Sequence, residues 1–362
     1  MHIDLRHGDC RDVMATMEPE SIDAIVTDPP YGLSFMGKEW DHGVPSTAFW
    51  SEALRVAKPG AHLLSFGGTR TFHRLAVAIE DAGWEIRDCI MWVYGSGFPK
   101  SHNVSKAIES HEKFGGSGTV MMRKAVMGEE YTESVSKGTF RNGSQRTMNS
   151  VASKGPDFIP STDAAKEWDG WGTALKPAWE PIIVARKPLI GTVSENVLEY
   201  GTGAINVDAC RVVTDGGWRR DGKADKSNDF GWENMRGHGQ VAINAGRWPA
   251  NVLHDGSDIA TAGMGDAARY FYCSKAQRAD RDDGADNPHP TVKPTDLMTW
   301  LCQLVTPPNG VVLDPFCGSG STGRGAKRAG AAKFLGIELD AEYIEIARRR
   351  IEALDKDRLI GL

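Results

Sequence analysis

Short apolar runs alternate with amphipathic segments along the first hundred residues of the chain. Runs rich in β-branched residues predict strands, and apolar positions spaced three and four residues apart predict helices. Strands are predicted over residues 3–6, 22–27, 63–66 and 86–93, and helices over residues 11–17, 47–57 and 71–82. Because strands that alternate with helices build a mostly parallel sheet with helices on both faces, the predicted fold class is α/β with a doubly wound sheet.

The alternation stops at residue 103, where the sequence turns to glycine, serine, threonine, lysine and methionine without an apolar period. A long polar insertion of this kind is either functional or disordered. The later predictions are strands at 179–185, 251–254, 269–273, 311–314 and 334–340, and helices at 194–199, 295–305, 323–329 and 341–356. The predicted regions are therefore 1–102, a polar insertion at 103–175, an irregular part at 176–288, and 289–362.

The composition is that of a globular protein, with 40% hydrophobic and 25% charged residues. Its apolar runs are shorter than the ~20 residues that span a bilayer. The start of the chain lacks the apolar core of a signal peptide, so a cytoplasmic protein is expected. The six cysteines are scattered and favour free thiols over disulfides or zinc, and the ten histidines show no ligand spacing, so no metal is expected.

The net charge of −6 argues weakly against a nucleic-acid partner, since phosphate contacts require lysine and arginine. Between residues 100 and 154, however, nine basic residues outnumber five acidic ones. A solvated loop would look similar, so both interpretations stay open. The candidates for phosphate contacts in this stretch are Lys100, Arg123, Lys124, Arg141 and Arg146.

The tetrapeptide Asp28-Pro29-Pro30-Tyr31 directly follows the predicted strand at 22–27. Its two prolines end the strand and fix a rigid turn at the carboxyl end, which is the edge where open α/β sheets bind ligands. A carboxylate, a backbone carbonyl and an aromatic ring therefore converge at this edge. Such a set can hold a planar ring that carries an amino group; an ordinary strand-ending turn is the alternative.

A second motif, Asp314–Thr322, joins an apolar strand to a helix through a glycine turn. Gly318 and Gly320 let the backbone approach a ligand closely. The next predicted strand carries Glu338 near its end, where a Rossmann-like fold binds a ribose diol. Since the spacing differs from the dinucleotide fingerprint Gly-x-Gly-x-x-Gly, it indicates a nucleoside cofactor without a pyrophosphate.

Together these residues resemble the S-adenosylmethionine-dependent DNA amino-methyltransferases. Asp28–Tyr31 matches that family's catalytic tetrapeptide, and Phe316–Gly320 matches its cofactor loop. His289–Pro294 looks like the motif that precedes this loop, although Val292 stands where glutamine is more usual. Trp92–Lys100 is similar to a segment of phage-type members. The catalytic motif comes before the cofactor loop, which is the order of the family's beta group.

The resemblance implies a Rossmann-like sheet with permuted motif order, in which the polar insertion is a target-recognition region. Asp28 and the Pro29 carbonyl would hold the exocyclic amine of a flipped base for direct methyl transfer, and Tyr31 would stack on that base. Double-stranded DNA is the implied partner, and a homodimer is an open alternative to a monomer. The residues implied to surround S-adenosylmethionine are Asp9, Thr291, Lys293, Asp314, Phe316, Gly318, Gly320 and Glu338.

For some individual residues the expected role is more specific. Thr291 and Lys293 are expected near the carboxylate of the cofactor, and Asp314 is expected to orient the glycine loop. Asp9 is expected beside the adenine of the cofactor, although an acid at a strand end is often only a helix cap. The basic run Arg348–Arg350 is expected to lie on the solvated face of the last helix.

The product base and the function class have alternatives. Asp28 at the first position of the tetrapeptide favours adenine N6, because enzymes that methylate cytosine N4 more often carry serine there. Protein glutamine methyltransferases start the tetrapeptide with asparagine and place the cofactor loop first, which disfavours that class. A DNA-binding module with a decayed site is disfavoured by the intact motifs. The sequence therefore predicts a site-specific adenine DNA methyltransferase, with or without an accompanying restriction enzyme.

Overall fold

The structure is a computed structural model. It describes residues 1–32, 43–95, 97, 101–114, 158–212, 247–262, 264, 271–273, 280, 287 and 292–354. The described residues belong to two compact units, one formed by Met1–Ser96 with Ala178–Leu362 and the other by Gly97–Pro177. Within the part of the chain that the structure describes, none of the helices has the length and apolar character needed to cross a membrane.

The first unit contains a nine-stranded sheet in the order β1-β9-β8-β2-β3-β5-β4-β6-β7. All neighbouring strands pair in parallel except β5, which is antiparallel to both β3 and β4. This confirms the predicted α/β class and the mostly parallel sheet. The strands are β1 His2–His7, β2 Ile22–Thr27, β3 Ala57–Phe66, β4 Glu85–Val93, β5 Trp179–Arg186, β6 Val252–His254, β7 Tyr272–Cys273, β8 Val311–Asp314 and β9 Lys333–Glu338.

Helices cover both faces of this sheet. Those of the first unit are α1 Cys10–Ala15, α2 Thr47–Val56, α3 Phe72–Asp81, α6 Val193–Tyr200, α7 Asp258–Thr261, α8 Thr295–Val305, α9 Ser321–Arg328 and α10 Ala341–Glu352. One hydrophobic cluster joins α8, α9 and α10 to Val26 of β2. A second cluster joins α1, α2 and α3 to Ile25 of the same strand. Because β2 is buried on both faces, Ala24, Ile25 and Val26 are apolar in succession, while the buried Asp23 pairs with Lys58.

Among its described residues, the second unit contains two helices, α4 Val104–Phe114 and α5 Asp163–Glu167. The Ser105 hydroxyl donates to the Ala165 carbonyl at 2.6 Å, and the Glu109 carboxylate accepts a hydrogen bond from the backbone N–H of Ser161 at 2.9 Å. The prediction of an insertion without periodic structure from residue 103 onward was therefore wrong for these two segments. The buried side chains of these helices are those of Ser105, Ser110, Ala165 and the hydrogen-bonded Glu109. Because these side chains are small or polar, the sequence of the two helices shows little apolar pattern.

Two further predictions need correction. The third strand begins at Ala57 and not at residue 63, because a register shift against β2 lets it pass through Pro59 without a ladder hydrogen bond from that residue. Arg350 does not lie on a solvated face, since it is fully buried. It stands three residues after the buried Ala347 and thus on the core-facing side of α10.

Candidate active site

The two motifs meet at the carboxyl ends of β2 and β8, which are neighbours in the sheet. The strand that follows β8 in the chain, β9, lies on one side of this pair, and the strand that follows β2, β3, lies on the other side. Such a switch point opens a crevice in which doubly wound sheets bind ligands. The Thr27 hydroxyl donates to Asp314 Oδ1 at 2.7 Å and ties the two strand ends together. β8, which ends at Asp314, therefore lies between β2, which leads into Asp28, and β9, which ends at Glu338.

The tetrapeptide carries a hydrogen-bonded acid at this edge. The Tyr31 hydroxyl donates to Asp28 Oδ1 at 2.7 Å, and the other carboxylate oxygen of Asp28 lies 3.0 Å from Lys293 Nζ. Pro29 is buried and Pro30 half-buried, so the turn is packed in place. The Asp28 carboxylate is therefore held in a fixed orientation by two partners.

Glu180 is a member of the site that the sequence did not single out. Its Oε2 lies 2.8 Å from Lys293 Nζ and 3.2 Å from the Tyr31 hydroxyl. Glu180 stands at the start of β5, and because β5 is antiparallel to its neighbours, its start lies at the edge where they end. The signal that could have found it is a charged residue at the beginning of an otherwise apolar strand.

Lys293, which is predicted to lie near the carboxylate of the cofactor, has a buried side chain beside the tetrapeptide. It is 7% exposed, and its Nζ also donates to the Tyr31 hydroxyl at 3.0 Å. Burial by itself lowers the pKa of Lys293, but the charges of Asp28 and Glu180 outweigh burial and hold the pKa above its ordinary value. Lys293 is therefore a charged ammonium, and the structure brings it to the Asp28–Tyr31 tetrapeptide.

The tyrosine hydroxyls beside this lysine are neutral donors. Burial, and then the charges of Asp28 and Glu180, raise the pKa of Tyr31. Burial, and then the charge of Glu180, likewise raise the pKa of Tyr94, whose hydroxyl also bonds to Glu180. Both acids therefore accept hydrogen bonds from phenols that keep their protons at neutral pH.

Asp314 orients the start of the glycine loop. Its Oδ1 accepts the backbone N–H of Phe316 at 3.1 Å, in addition to the Thr27 hydroxyl. Burial raises the pKa of Asp314 to about 6, although hydrogen bonds from Thr322, Thr27 and Phe316 act in the opposite direction. The contacts agree with the predicted role of Asp314 in holding the loop.

The glycine loop depends on backbone conformations that suit glycine. Gly318 and Gly320 have φ values of 50° and 84°, in the left-handed region. A Cβ on Gly320 would lie 2.9 Å from the Cβ of Ala347 on α10, so the loop also packs too closely for a side chain. Arg350 on α10 holds the loop through hydrogen bonds, since its guanidinium donates to the carbonyl and the hydroxyl of Ser319.

Glu338 lies at the end of β9, beside this loop. One carboxylate oxygen accepts the N–H of Gly318 at 2.8 Å and the other accepts the N–H of Asp340 at 2.9 Å. Burial raises the pKa of Glu338, while these backbone N–H groups act against the rise. The backbone N–H of Leu339 also donates to this carboxylate, and a carboxylate has about four acceptor positions, so acceptor capacity for a ligand hydroxyl remains. A ribose hydroxyl is a suitable donor for it.

Two other predicted cofactor contacts have structural partners of their own. Phe316 packs against Phe49 with ring centroids 4.9 Å apart. Asp9 caps α1, because its side chain accepts the backbone N–H of Arg11 at 2.9 Å, and it also pairs with the Arg11 guanidinium. The helix-cap alternative is therefore present in the structure. A contact between Asp9 and a cofactor stays a prediction.

Several predicted residues lie outside the part of the chain that the structure describes. Among the residues it does describe, no group of histidine, cysteine and acidic side chains could hold a metal ion. The free thiols in the described part of the chain are Cys10, Cys89, Cys210, Cys302 and Cys317. The predicted residues outside the described ranges are Lys100, Arg123, Lys124, Arg141, Arg146 and Thr291.

Comparison with known proteins identifies relatives of this chain. A family model described as DNA methylase (N6_N4_Mtase) matches residues 22–349. The type II methyltransferase M.HindIII of Haemophilus influenzae is 23% identical over 381 residues, which cover 92% of this chain and 90% of that protein. The type II methyltransferase M2.DpnII of Streptococcus pneumoniae is 48% identical over 65 residues, which cover 18% of this chain and 24% of that protein.

A solved structure has the same fold. It is the PvuII DNA methyltransferase, described as cytosine-N4-specific, with a TM-score of 0.50 and 14% sequence identity. The match covers 99% of this chain and 88% of that chain. At this identity, the likeness concerns the fold alone.

Proposed function

The chain belongs to the DNA methylase family of N6-adenine and N4-cytosine methyltransferases, and from this premise we propose that it methylates the N6 amine of adenine in double-stranded DNA. S-adenosylmethionine is its cofactor. The observation that carries the proposal is the Asp28 carboxylate, held at the switch point beside the glycine loop. Aspartate at this position favours adenine, because members that methylate cytosine N4 more often carry serine there.

The residues at the switch point suit an amine acceptor. An exocyclic amine is a poor nucleophile, because its lone pair is delocalised into the ring. The Asp28 carboxylate and the Pro29 carbonyl would accept its two N–H groups and draw lone-pair density toward the methyl group. Asp28 is already oriented by Tyr31 and Lys293, so little reorganisation is needed when the amine arrives.

The residues beside β8 and β9 suit the cofactor. Glu338 would accept hydrogen bonds from the ribose hydroxyls, and the backbone of Gly318 and Gly320 would line the methionine part. When bound, S-adenosylmethionine supplies a methyl group on a positively charged sulfonium. Asp28 and the Pro29 carbonyl would keep the amine in line with this methyl group while the N–C bond forms and the S–C electron pair stays with sulfur, and the methylated amine would then lose a proton to water.

The base must leave the duplex to reach Asp28, since the amine is stacked and paired inside DNA. Tyr31 would stack on the flipped base, and its ring is held in place through the hydroxyl. The unit Gly97–Pro177 would contact the recognised site, with the basic residues between 100 and 154 on phosphates.

Further assignments follow from motif order and from the relatives. Asp28 precedes Gly318 in the chain, as in the beta group, and Trp92–Lys100 supports a phage-type member. The relatives M.HindIII and M2.DpnII are named type II methyltransferases. A cytoplasmic role beside a restriction enzyme is the corresponding proposal for this chain.

The proposal is tested by analysing the product base. Duplex DNA would be incubated with the protein and S-adenosylmethionine that carries a labelled methyl group, digested to nucleosides and separated by mass spectrometry. We expect label in N6-methyladenine. Label only in N4-methylcytosine would overturn the adenine assignment, and no label in DNA of varied sequence would overturn the function.

A further inference from the structure

The buried lysine of the active site is shared between two acids. Lys293 Nζ lies 3.0 Å from Asp28 Oδ2, 2.8 Å from Glu180 Oε2 and 3.0 Å from the Tyr31 hydroxyl oxygen. An ammonium group has three N–H donors, so these three acceptors use all of them. We call Asp28, Glu180 and Lys293 the charge cluster. With both acids ionised, its net charge is −1.

We propose that Glu180 is a positioning residue for methyl transfer: it shares Lys293 with Asp28 and so keeps the charge cluster net negative. This inference rests on the proposed function, which places the target amine beside Asp28. Without Glu180, Lys293 would pair with Asp28 alone, and the two charges would cancel. Asp28 would then attract the hydrogens of the amine less strongly.

The net charge matters because of where positive charge moves in the reaction. In the ground state the charge is on the sulfonium sulfur, and in the transition state part of it has passed to the amine nitrogen, next to Asp28. A cluster of charge −1 stabilises the nearer charge more than the farther one, and it does so strongly where water is excluded. Glu180 therefore lowers the barrier without having to touch the substrate.

The structure holds Glu180 firmly enough for this task. Its side chain is 19% exposed, it accepts hydrogen bonds from Lys293 and Tyr94, and its Oε2 lies 3.2 Å from the Tyr31 hydroxyl oxygen. Its backbone is part of β5, which pairs with strands on both sides. The position of its charge is therefore set by the sheet.

A charge-counting experiment tests the inference. The variants are Glu180→Gln, Lys293→Met and the double variant, in which the cluster charges are 0, −2 and −1. We expect Glu180→Gln to lower kcat about tenfold or more, with the Kd for S-adenosylmethionine unchanged by calorimetry. The double variant restores the charge of −1, so its kcat should exceed that of Glu180→Gln.

Glu85→Gln is the matched control. Glu85 on β4 accepts a hydrogen bond from Arg186 at 2.6 Å near the other end of β5. This variant therefore also removes a carboxylate whose partner lies on a neighbouring strand. We expect its kcat to be unchanged. The inference is overturned if Glu180→Gln keeps the wild-type kcat, or if the kcat of the double variant does not exceed that of Glu180→Gln. Absence of DNA methylation by the wild-type protein would instead refute the proposed function.

Discussion

Removing the charge of Asp314 should stabilise the fold at neutral pH. Asp314 is 2% exposed, and burial raises its pKa from 3.8 to about 6. In the substitution Asp314→Asn, the remaining oxygen can still accept from the Thr27 hydroxyl and the Phe316 N–H. The new amide group faces Thr322, whose hydroxyl can rotate to accept. The variant therefore loses the charge and keeps the hydrogen bonds.

The magnitude follows from linkage. A raised carboxyl pKa means that the folded state binds the proton more tightly, so wild-type stability falls as pH rises from about 4 to about 6. A shift of about 2 pKa units corresponds to about 3 kcal/mol at 1.36 kcal/mol per unit. We expect Asp314→Asn to gain up to about 3 kcal/mol in the free energy of unfolding at pH 7.5, and less than about 1 kcal/mol at pH 4.

Urea denaturation of both proteins at pH 4, 5, 6 and 7.5 measures this difference. Asp255→Asn is a control of opposite sign, because hydrogen bonds from Ser257 and Gly95 outweigh burial and hold the pKa of Asp255 below its ordinary value. That variant should lose stability, and most at pH 7.5. If the stability difference between Asp314→Asn and the wild type is the same at every pH, the buried charge of Asp314 is not its cause.

Two further predictions concern the cofactor side of the site. Glu338→Ala should weaken S-adenosylmethionine binding about 10- to 100-fold by calorimetry, since it removes charged hydrogen bonds, and an unchanged Kd would exclude Glu338 from the cofactor site. Gly320→Ala should lower the unfolding temperature more than Gly330→Ala. Both glycines have positive φ, but a Cβ meets Ala347 at 2.9 Å only at Gly320 and meets nothing within 4 Å at Gly330. Equal losses in the two variants would contradict the packing argument.

The sheet and its switch point could be predicted because their signals are local. The apolar run of β2 ends at Asp28, and β8 ends at Asp314 before the glycine turn. Each strand is long enough to recognise and is followed by turn residues. Their adjacency then follows from the family's motif order, and the structure agrees.

The charge cluster could not be predicted, because it depends on tertiary pairing. Glu180 lies 149 residues from Tyr31 in the chain and meets it only because β5 enters the sheet antiparallel. No local pattern encodes that direction. Arg350 was misassigned for a related reason, since three consecutive arginines indicate a solvated face while the helical period places one of them in the core.

We propose that the Asp28 carboxylate holds the target amine at the methyl donor. Its most direct test is Asp28→Ala, with methyl transfer to duplex DNA and S-adenosylmethionine binding measured on the same preparation. We predict that transfer is abolished while the Kd for the cofactor stays close to the wild-type value. Undiminished methyl transfer by this variant would contradict the account.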